Sequence, residues 1–240
     1  MRVPSAKCLT ESMIRTFEGF DSGALATLAK LPEWSRDDYA AGKAELKKGL
    51  LDPAVGLIVA VAEQLSELVG SELQVNPKIG GSVSPMNRDL RFTKDKTVLY
   101  KDALMLTTWD GADKKSSPMF WIRIAHDSVG FASGMTFQKH TRDRWREAVG
   151  SDASGQALVD ALEPLQRHDT YDLDGATLKN APKPWGNEHP RAGLLKHTAV
   201  QVRWHEPTPP TATLPRFTDF CVKKLEELVP VHLWMKEHLV

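Results

Sequence analysis

The chain has 240 residues, of which 41% are hydrophobic, and its 31 basic side chains are balanced by 31 acidic ones. This length and composition can bury a large core, which is typical of a globular protein. The zero net charge excludes a whole-protein field that would attract nucleic acid or an anionic membrane. Any electrostatic function therefore has to be local.

Cysteine usage and the lack of an apolar segment typical of a secretory signal or a membrane span predict a cytoplasmic protein. Cys8 and Cys221 are the only two cysteines, and they form neither a CxxC pair nor a disulfide framework. The N-terminal sequence MRVPSAKCLTESM lacks the apolar stretch of a secretory signal. The longest apolar run, residues 54–62, is shorter than the roughly 20 residues of a membrane span. We therefore expect a buried helix, no disulfide and no membrane partner.

The N-terminal 70 residues are predicted to be mainly helical. Ser35 is suited to cap a helix over RDDYAAGKAELKKGLL. The pair Asp52 and Pro53 predicts the start of a second helix, because aspartate favours the N-cap and proline the first helical turn. Gly70 follows the last apolar position and predicts the end of that helix.

From residue 72 onward the hydrophobic period changes to that of strands. Leu90 and Phe92 alternate with polar residues, which is the pattern of a half-buried strand. The stretch YKDALMLTTWDG predicts the next strand, and PMFWIRIAHDSVGFASG predicts a strand pair. In that pair one face is shared by Phe120, Ile122 and Ile124. We therefore predict an antiparallel sheet between residues 72 and 135.

The C-terminal part is predicted to contain helices, one strand and a proline-rich segment. The helices are KHTRDRWREAVG and SDASGQALVDALEPLQRH, the second with Ser151 as its cap, and TAVQVRW is the strand. Residues 206–215 are predicted to be a stiff linker to the C-terminal helix. Pro230 should kink that helix or start a second one.

These elements together predict the α+β fold class. We expect a single domain over residues 1–240, in which a central antiparallel sheet is flanked by N-terminal and C-terminal helices. The sequence pattern that predicts these elements is weakest in residues 1–34.

Well-known catalytic and metal-binding motifs do not account for this chain. It has no GxxxxGK[ST] or GxGxxG phosphate loop, and Ser133 lies one place late for the nucleophile elbow GxSxG. His197 and His205 lie at opposite ends of a predicted strand, too far apart to share a metal. We therefore predict neither a metal nor a cofactor. Most tryptophans should pack in the core, with Trp185 as an exception because it lies in a loop.

The most unusual segment is RDLRFTKDKTVLYK, residues 88–101, where basic, acidic and aromatic side chains are concentrated. One interpretation is a site for a small anionic ligand, a phosphate or a carboxylate, because arginine offers planar forks and lysine point charges. The candidate ligand-binding residues are Arg88, Arg91, Lys94, Asp95, Lys96, Tyr100, Lys101 and Trp185. The alternative is a structural ion-pair network, in a protein whose sheet face or Trp185 loop binds another protein.

The sequence leaves open whether the protein is an enzyme. The candidate catalytic residues are His189, as a general acid or base, and Arg123, as the partner of an oxyanion. Nucleic-acid binding through basic and aromatic groups is a third hypothesis, against which the zero net charge argues. The sequence does not indicate an oligomeric state.

Three ordered motifs resemble one uncharacterised family. RDLRFTKDKTVLYK is similar to its RDxRFSKDKxPYK-like signature, and VGFASGMTFQKHTRDRWREAV to its glycine-containing strand and following helix. LKNAPKPWGNEHPRAGLLKH is similar to its LKRxPKGFxxxHPxxxLL block. By these motifs residues 35–240 resemble the bacterial and fungal family called domain of unknown function 2461. The resemblance implies a soluble α+β single domain and no established activity.

The chain departs from that family pattern at three places. Val98 and Leu99 stand where the family has a proline before the tyrosine, and Lys179-Asn180 replaces the usual Lys-Arg. The family's N-terminal Asn-Asn-x-x-Trp-Phe-like motif survives at best as residues 32–34.

Overall fold

The computed structural model describes residues 16–91, 93–175 and 177–240. The helices are α1 Ser22–Thr27, α2 Arg36–Leu46, α3 Asp52–Val69, α4 Lys139–Gly150, α5 Asp152–Leu162, α6 Ala192–Leu195, α7 Phe217–Glu226 and α8 Val229–Leu239. The strands are β1 Ala103–Trp109, β2 Met119–Ala125, β3 Ser128–Thr136, β4 Asp172–Asp174 and β5 Ala199–Pro207. Helices therefore precede and follow the strands, as predicted.

The start and end signals of the N-terminal helices are confirmed only in part. Ser35 caps α2 through a reciprocal pair of hydrogen bonds, in which the Asp38 N–H donates to Ser35 Oγ over 3.1 Å and the Ser35 N–H donates to Asp38 Oδ2 over 2.9 Å. Gly70 ends α3 with a left-handed φ of 69°. The predicted cap at Asp52 is wrong, because a π-helical turn, Lys47–Leu51, joins α2 to α3 without a break. The Asp52 carboxylate instead accepts a hydrogen bond from Lys47 Nζ over 2.6 Å.

The continuous stretch Arg36–Val69 is long and apolar enough to cross a membrane, judged by length and composition alone. Half of its most apolar window is buried inside the fold. Leu57, Val61 and Leu65 are fully buried, and α3 packs against α7. The core helix of a globular protein has the same length and composition, so the stretch is weak support for a membrane span.

Among the described residues, five strands form one antiparallel sheet in the order β1-β2-β3-β5-β4. The predicted strands over β1, β2, β3 and β5 are confirmed. The predicted bounds of the sheet, residues 72–135, are wrong, because its first strand begins at Ala103 and β4 and β5 also belong to it. Phe120, Ile122 and Ile124 are all buried on one face, as the alternation predicted. The sequence did not reveal β4, because Asp172–Asp174 is only three residues long and carries one apolar side chain. The fold is α+β with a single domain, as expected.

The predicted strand around Leu90 and Phe92 is wrong. Residues 86–91 and 93–101 belong to a hairpin arm that leads into β1, in which the Lys101 N–H donates to Met86 O and the Arg88 N–H donates to Leu99 O. Pairing stops there, since the Asp89 carboxylate accepts the Arg91 N–H over 3.1 Å and turns the chain. Phe92 itself lies outside the described residues.

The C-terminal signals had mixed outcomes. Pro230 lies in the first turn of α8 and therefore starts a second helix instead of kinking one. Ser151 occupies the cap position of α5, but its side chain makes no capping hydrogen bond. The first two residues of the predicted 206–215 linker belong to β5, and the 3₁₀ turn Pro210–Thr213 packs on the fold through buried Ala212.

Helices cover one face of the sheet, and the other face is open. Val129, Phe131 and Val202 point into the helical layer and are buried. The side chains that alternate with them, on the opposite face, line a groove of about 410 Å³. This open face holds the candidate site.

Candidate functional site

The groove runs along β3, and we call it the sheet slot. Its floor is formed by Gly130 and Ala132, two small residues of β3 that face away from the helices. Its remaining lining residues are Met105, Trp121, Arg123, Ser128, Phe131, Thr170, Asp172, Gln201, Arg203, Trp204 and His205.

Strand register sets the width of the sheet slot. Ala132 pairs with Trp121 on β2 and with Arg203 on β5. Gly130 pairs in the same way with Arg123 and His205. Because the two cross-strand spacings of an antiparallel sheet add up to roughly 10 Å, the Cα atoms of the two walls are about that far apart. The slot is thus one strand wide, with an aromatic or cationic side chain on each side.

Gly130 and Gly134 lie on the same face of β3 but have different reasons to be glycine. A Cβ at Gly134 would come within 2.1 Å of Val200 O, so close packing excludes any side chain there. A Cβ at Gly130 would meet nothing nearer than 3.4 Å, an ordinary contact distance. Backbone packing therefore does not require a glycine at position 130, and its absent side chain leaves open space in the slot.

Arg203 is held in place by two carboxylates of β4. Its NH2 lies 2.6 Å from Asp172 Oδ2 and 3.0 Å from Asp174 Oδ2, and its Nε donates to Asp172 Oδ2 over 3.0 Å. These contacts neutralise the charge and fix the orientation of the guanidinium group. A guanidinium fixed in this way can still stack its flat face on an aromatic ring.

Arg123 is held more loosely on the opposite wall. Its NH2 lies 3.3 Å from Asp102 Oδ1 and its NH1 lies 3.4 Å from Ser128 Oγ, both at the long end of hydrogen bonding. The side chain keeps 36% of its surface exposed. Since a guanidinium has five N–H donors, Arg123 retains donors for a ligand.

His205 stands opposite Arg123, and its backbone is fixed by Thr170. The His205 N–H donates to Thr170 Oγ1 over 2.8 Å, and Thr170 Oγ1 donates to His205 O over 2.6 Å. Ser128, Thr170 and His205 also line a second groove of about 530 Å³, which continues from the sheet slot.

The tip of the hairpin arm, where most of the sequence-predicted ligand residues lie, is exposed. Arg91 NH2 pairs with Asp89 Oδ2 at 2.7 Å, while 78% of the arginine side chain remains exposed. The hydrogen bonds from Arg91 lower the pKa of Asp89 to about 2. Lys94 and Lys96 are exposed, and Asp95 accepts from Thr97 N and Oγ1. The charges at this tip therefore do not form a buried ion-pair network.

The base of the arm is built by the other predicted residues. Arg88 NH1 donates to Val98 O over 3.1 Å, and Lys101 Nζ donates to Pro85 O over 2.8 Å. Tyr100 is buried and stacks on Tyr39 with ring centroids 4.2 Å apart. Burial lowers the pKa of Lys101. In the structure these side chains hold the arm together.

Trp185 and His189 lie outside the sheet slot, in the loop before α6. Trp185 is half-buried against α4, where a Cβ on Gly150 would come within 2.0 Å of its indole Nε1. His189 Nδ1 accepts the backbone N–H of Arg191 over 3.1 Å. Of the residues selected from the sequence, Arg123 is the one that lines the slot.

Sequence reasoning missed Trp121, Arg203 and His205. All three occupy the alternate positions of strands whose other positions are buried, which is the signal that could have found them.

Within the described residues, no group of three or more His, Cys, Asp or Glu side chains could hold a metal ion. His197 is buried near the start of β5, where its Nδ1 lies 3.3 Å from Ala199 O. Burial lowers the pKa of His197 despite that hydrogen bond.

Residues 33–234 match the model of the family described as "Conserved hypothetical protein (DUF2461)". The chain belongs to this family. The match spans both the hairpin arm and the sheet slot, and it confirms the resemblance seen in the sequence motifs. A comparison with curated proteins finds no match. Because the description of DUF2461 carries no activity, the function of this member has to be argued from its own geometry.

Proposed function

We propose that this DUF2461 protein binds a small planar ligand with an anionic group in the sheet slot. The observation that carries the proposal is the width of the slot, because Trp121 and Arg203 face each other across Ala132, one strand away on each side. The proposal concerns binding, and it assigns no reaction.

A flat ring fits between these two side chains. Side chains on a sheet stand roughly perpendicular to it, and the walls are about 10 Å apart at their Cα atoms. The indole and the guanidinium each present a plane, so a ring inserted between them would stack on both. The two carboxylates that hold Arg203 reduce the entropy lost on binding, because the guanidinium is already oriented.

Arg123 is the reason to expect an anionic group on the ligand. Its long contacts with Asp102 and Ser128 leave donors available, and it lies on the same wall as Trp121, two residues along β2. A ring stacked on Trp121 therefore brings a substituent within reach of this guanidinium. Charge-assisted hydrogen bonds of this kind are stronger than neutral ones.

The tip of the hairpin arm is the competing anion site. Lys94 and Lys96 are exposed there beside the Arg91–Asp89 pair. Exposed charges act through water of high dielectric constant, so a small anion gains little from them. The sheet slot, with its buried floor of Gly130 and Ala132, is therefore the better site for a small ligand.

Ligand-observed NMR with 2-naphthoate, a planar carboxylate, tests the proposal. We expect saturation transfer from wild-type protein, and its loss in Trp121→Ala and Arg203→Ala. Arg36→Ala, an exposed arginine outside the slot, serves as the matched control and should bind as wild type. The double variant Arg91→Ala, Lys96→Ala should also bind as wild type.

Three results would contradict the proposal. If the wild-type protein gives no saturation transfer, the sheet slot is not a binding site for such a ligand. Binding lost in the Arg91→Ala, Lys96→Ala variant but kept in Trp121→Ala would move the site to the hairpin arm. Self-association in sedimentation that Trp121→Ala abolishes would assign the open face to contact with a second copy.

A further inference from the structure

We infer that the anionic group of the ligand is a single carboxylate seated over Gly130, between Arg123 and His205, and that Gly130 is a specificity-determining residue. This inference rests on the proposed function, because it assigns a charged subsite beside the ring subsite. The geometry that points to it is the row Arg123–Gly130–His205, which runs parallel to the row Trp121–Ala132–Arg203.

The open space above Gly130, which we call the recess, is not required by packing of the fold. The nearest contacts of a Cβ there would be Trp204 O at 3.4 Å, Arg123 Cβ at 3.5 Å and His205 Cβ at 3.7 Å. Two of these three atoms belong to the side chains that form the walls. A Cβ at position 130 would therefore meet no clash, and a larger side chain would extend into the gap between Arg123 and His205.

Both walls of the recess can donate hydrogen bonds. Arg123 has donors left after its contacts with Asp102 and Ser128, and a neutral imidazole carries one N–H. The backbone of His205 is fixed by the two hydrogen bonds with Thr170. A planar carboxylate placed between these two groups can accept a hydrogen bond from Arg123 with one oxygen and from His205 with the other.

The charges around the slot favour a monoanion over a dianion. Asp102 is bound to Arg123, and both Asp172 and Asp174 are bound to Arg203. A phosphate monoester carries a charge of about −1.5 to −2 at neutral pH, and the two arginines, already paired with these three carboxylates, cannot balance it. A carboxylate carries a single charge, which the incompletely paired Arg123 can balance.

Three probes with the same ring separate the ring subsite from the carboxylate subsite: 2-naphthoate, 2-naphthalenemethanol and 2-naphthyl phosphate. Calorimetric titration of wild-type protein should show 2-naphthoate binding roughly tenfold or more tightly than the alcohol and the phosphate. Arg123→Gln should remove that preference while the affinity for the alcohol stays the same. Gly130→Val should weaken 2-naphthoate binding by roughly tenfold or more, with an unchanged melting temperature.

Gly193→Val is the matched control, because Gly193 is exposed in α6 with nothing within 4 Å of its added Cβ. It should bind all three probes as wild type does. If 2-naphthoate and the alcohol bind equally, or Gly130→Val keeps full affinity, the carboxylate subsite is wrong while the ring subsite stands. Tighter binding of 2-naphthyl phosphate would overturn the assigned ligand class. If none of the probes binds wild-type protein, the proposed function fails together with the inference.

Discussion

His232 Nε2 lies 3.4 Å from Asp110 Oδ2, although both side chains are buried. The other ring nitrogen, Nδ1, lies 3.3 Å from Ser133 Oγ, and the ring stacks on Phe120 with centroids 4.1 Å apart. Serine, histidine and aspartate in line are the members of a hydrolase triad. Ser133, however, is fully buried and points into the helical layer, away from the sheet slot. The row is therefore structural and ties α8 to the sheet.

This buried row predicts a first loss of stability just below pH 6.5. Burial lowers the pKa of His232 from its ordinary value of 6.5, against the opposing effect of Asp110. The unfolded chain then takes up the proton before the folded one does, so stability falls as the pH drops below 6.5. Urea midpoints at pH 7.5 and pH 5 should show the decrease. His232→Phe should be less stable by about 1–3 kcal/mol, because Asp110 and Ser133 lose a partner. It should also show a smaller decrease with pH, the remaining part coming from His197, whose pKa is lowered by burial too. A flat wild-type profile over this range would contradict the prediction.

Asp110 predicts a second loss at lower pH. Burial raises its pKa, but hydrogen bonds from His232, Lys236 and Ser71 together lower it to about 2, from an ordinary 3.8. The stabilisation is therefore complete above pH 3.8 and disappears towards pH 2, and it amounts to about 2 kcal/mol. Urea unfolding of Asp110→Asn between pH 5 and pH 2 should lack this component. If the variant and the wild type lose stability in parallel, Asp110 is not the responsible carboxylate.

The two ends of the hairpin arm should respond differently to mutation. Arg91→Ala should leave the urea midpoint unchanged, because its pair with Asp89 is exposed to water. Tyr100→Ala should lower the free energy of unfolding by about 3 kcal/mol or more, since a buried ring stacked on Tyr39 is removed. Equal destabilisation by the two substitutions would show that the arm tip is part of the packed structure.

The two glycines of β3 form a matched pair for stability. Gly134→Ala should cost about 1–3 kcal/mol, because its methyl group would come within 2.1 Å of Val200 O. Gly130→Ala should change the free energy of unfolding by less than about 0.5 kcal/mol. Thermal unfolding of the two variants compares them directly. A Gly130→Ala variant as unstable as Gly134→Ala would mean that the recess is required by packing.

Cys221 should be unreactive in the folded protein. It is a free, fully buried thiol, and burial raises its pKa well above the ordinary value. Because the thiolate is the reactive form, iodoacetamide should label Cys221 only as the chain unfolds. Cys8 lies outside the described residues, so the experiment uses Cys8→Ser to leave one thiol. Labelling of this variant without urea at the rate of a free peptide would contradict the prediction.

Local patterns in the sequence were enough to predict most of the elements. The capping role of Ser35, the end of α3 at Gly70 and the shared buried face of Phe120, Ile122 and Ile124 depend on residues close together in the chain. Such signals come from backbone geometry and from the period of apolar side chains, which act over a few residues. The same reasoning failed at Leu90, because a period of two predicts a strand only where a neighbouring chain is present to pair with it.

The sheet slot depended on tertiary structure. Trp121 and Arg203 face each other because β3 pairs with β2 on one side and with β5 on the other, and β5 is far away in the sequence. The sequence alone determined which residues of each strand point away from the core. Which strands lie side by side, and in which register, was decided by burial of the opposite face under the helices. That burial is a sum over many distant contacts, and no short stretch of sequence encodes it.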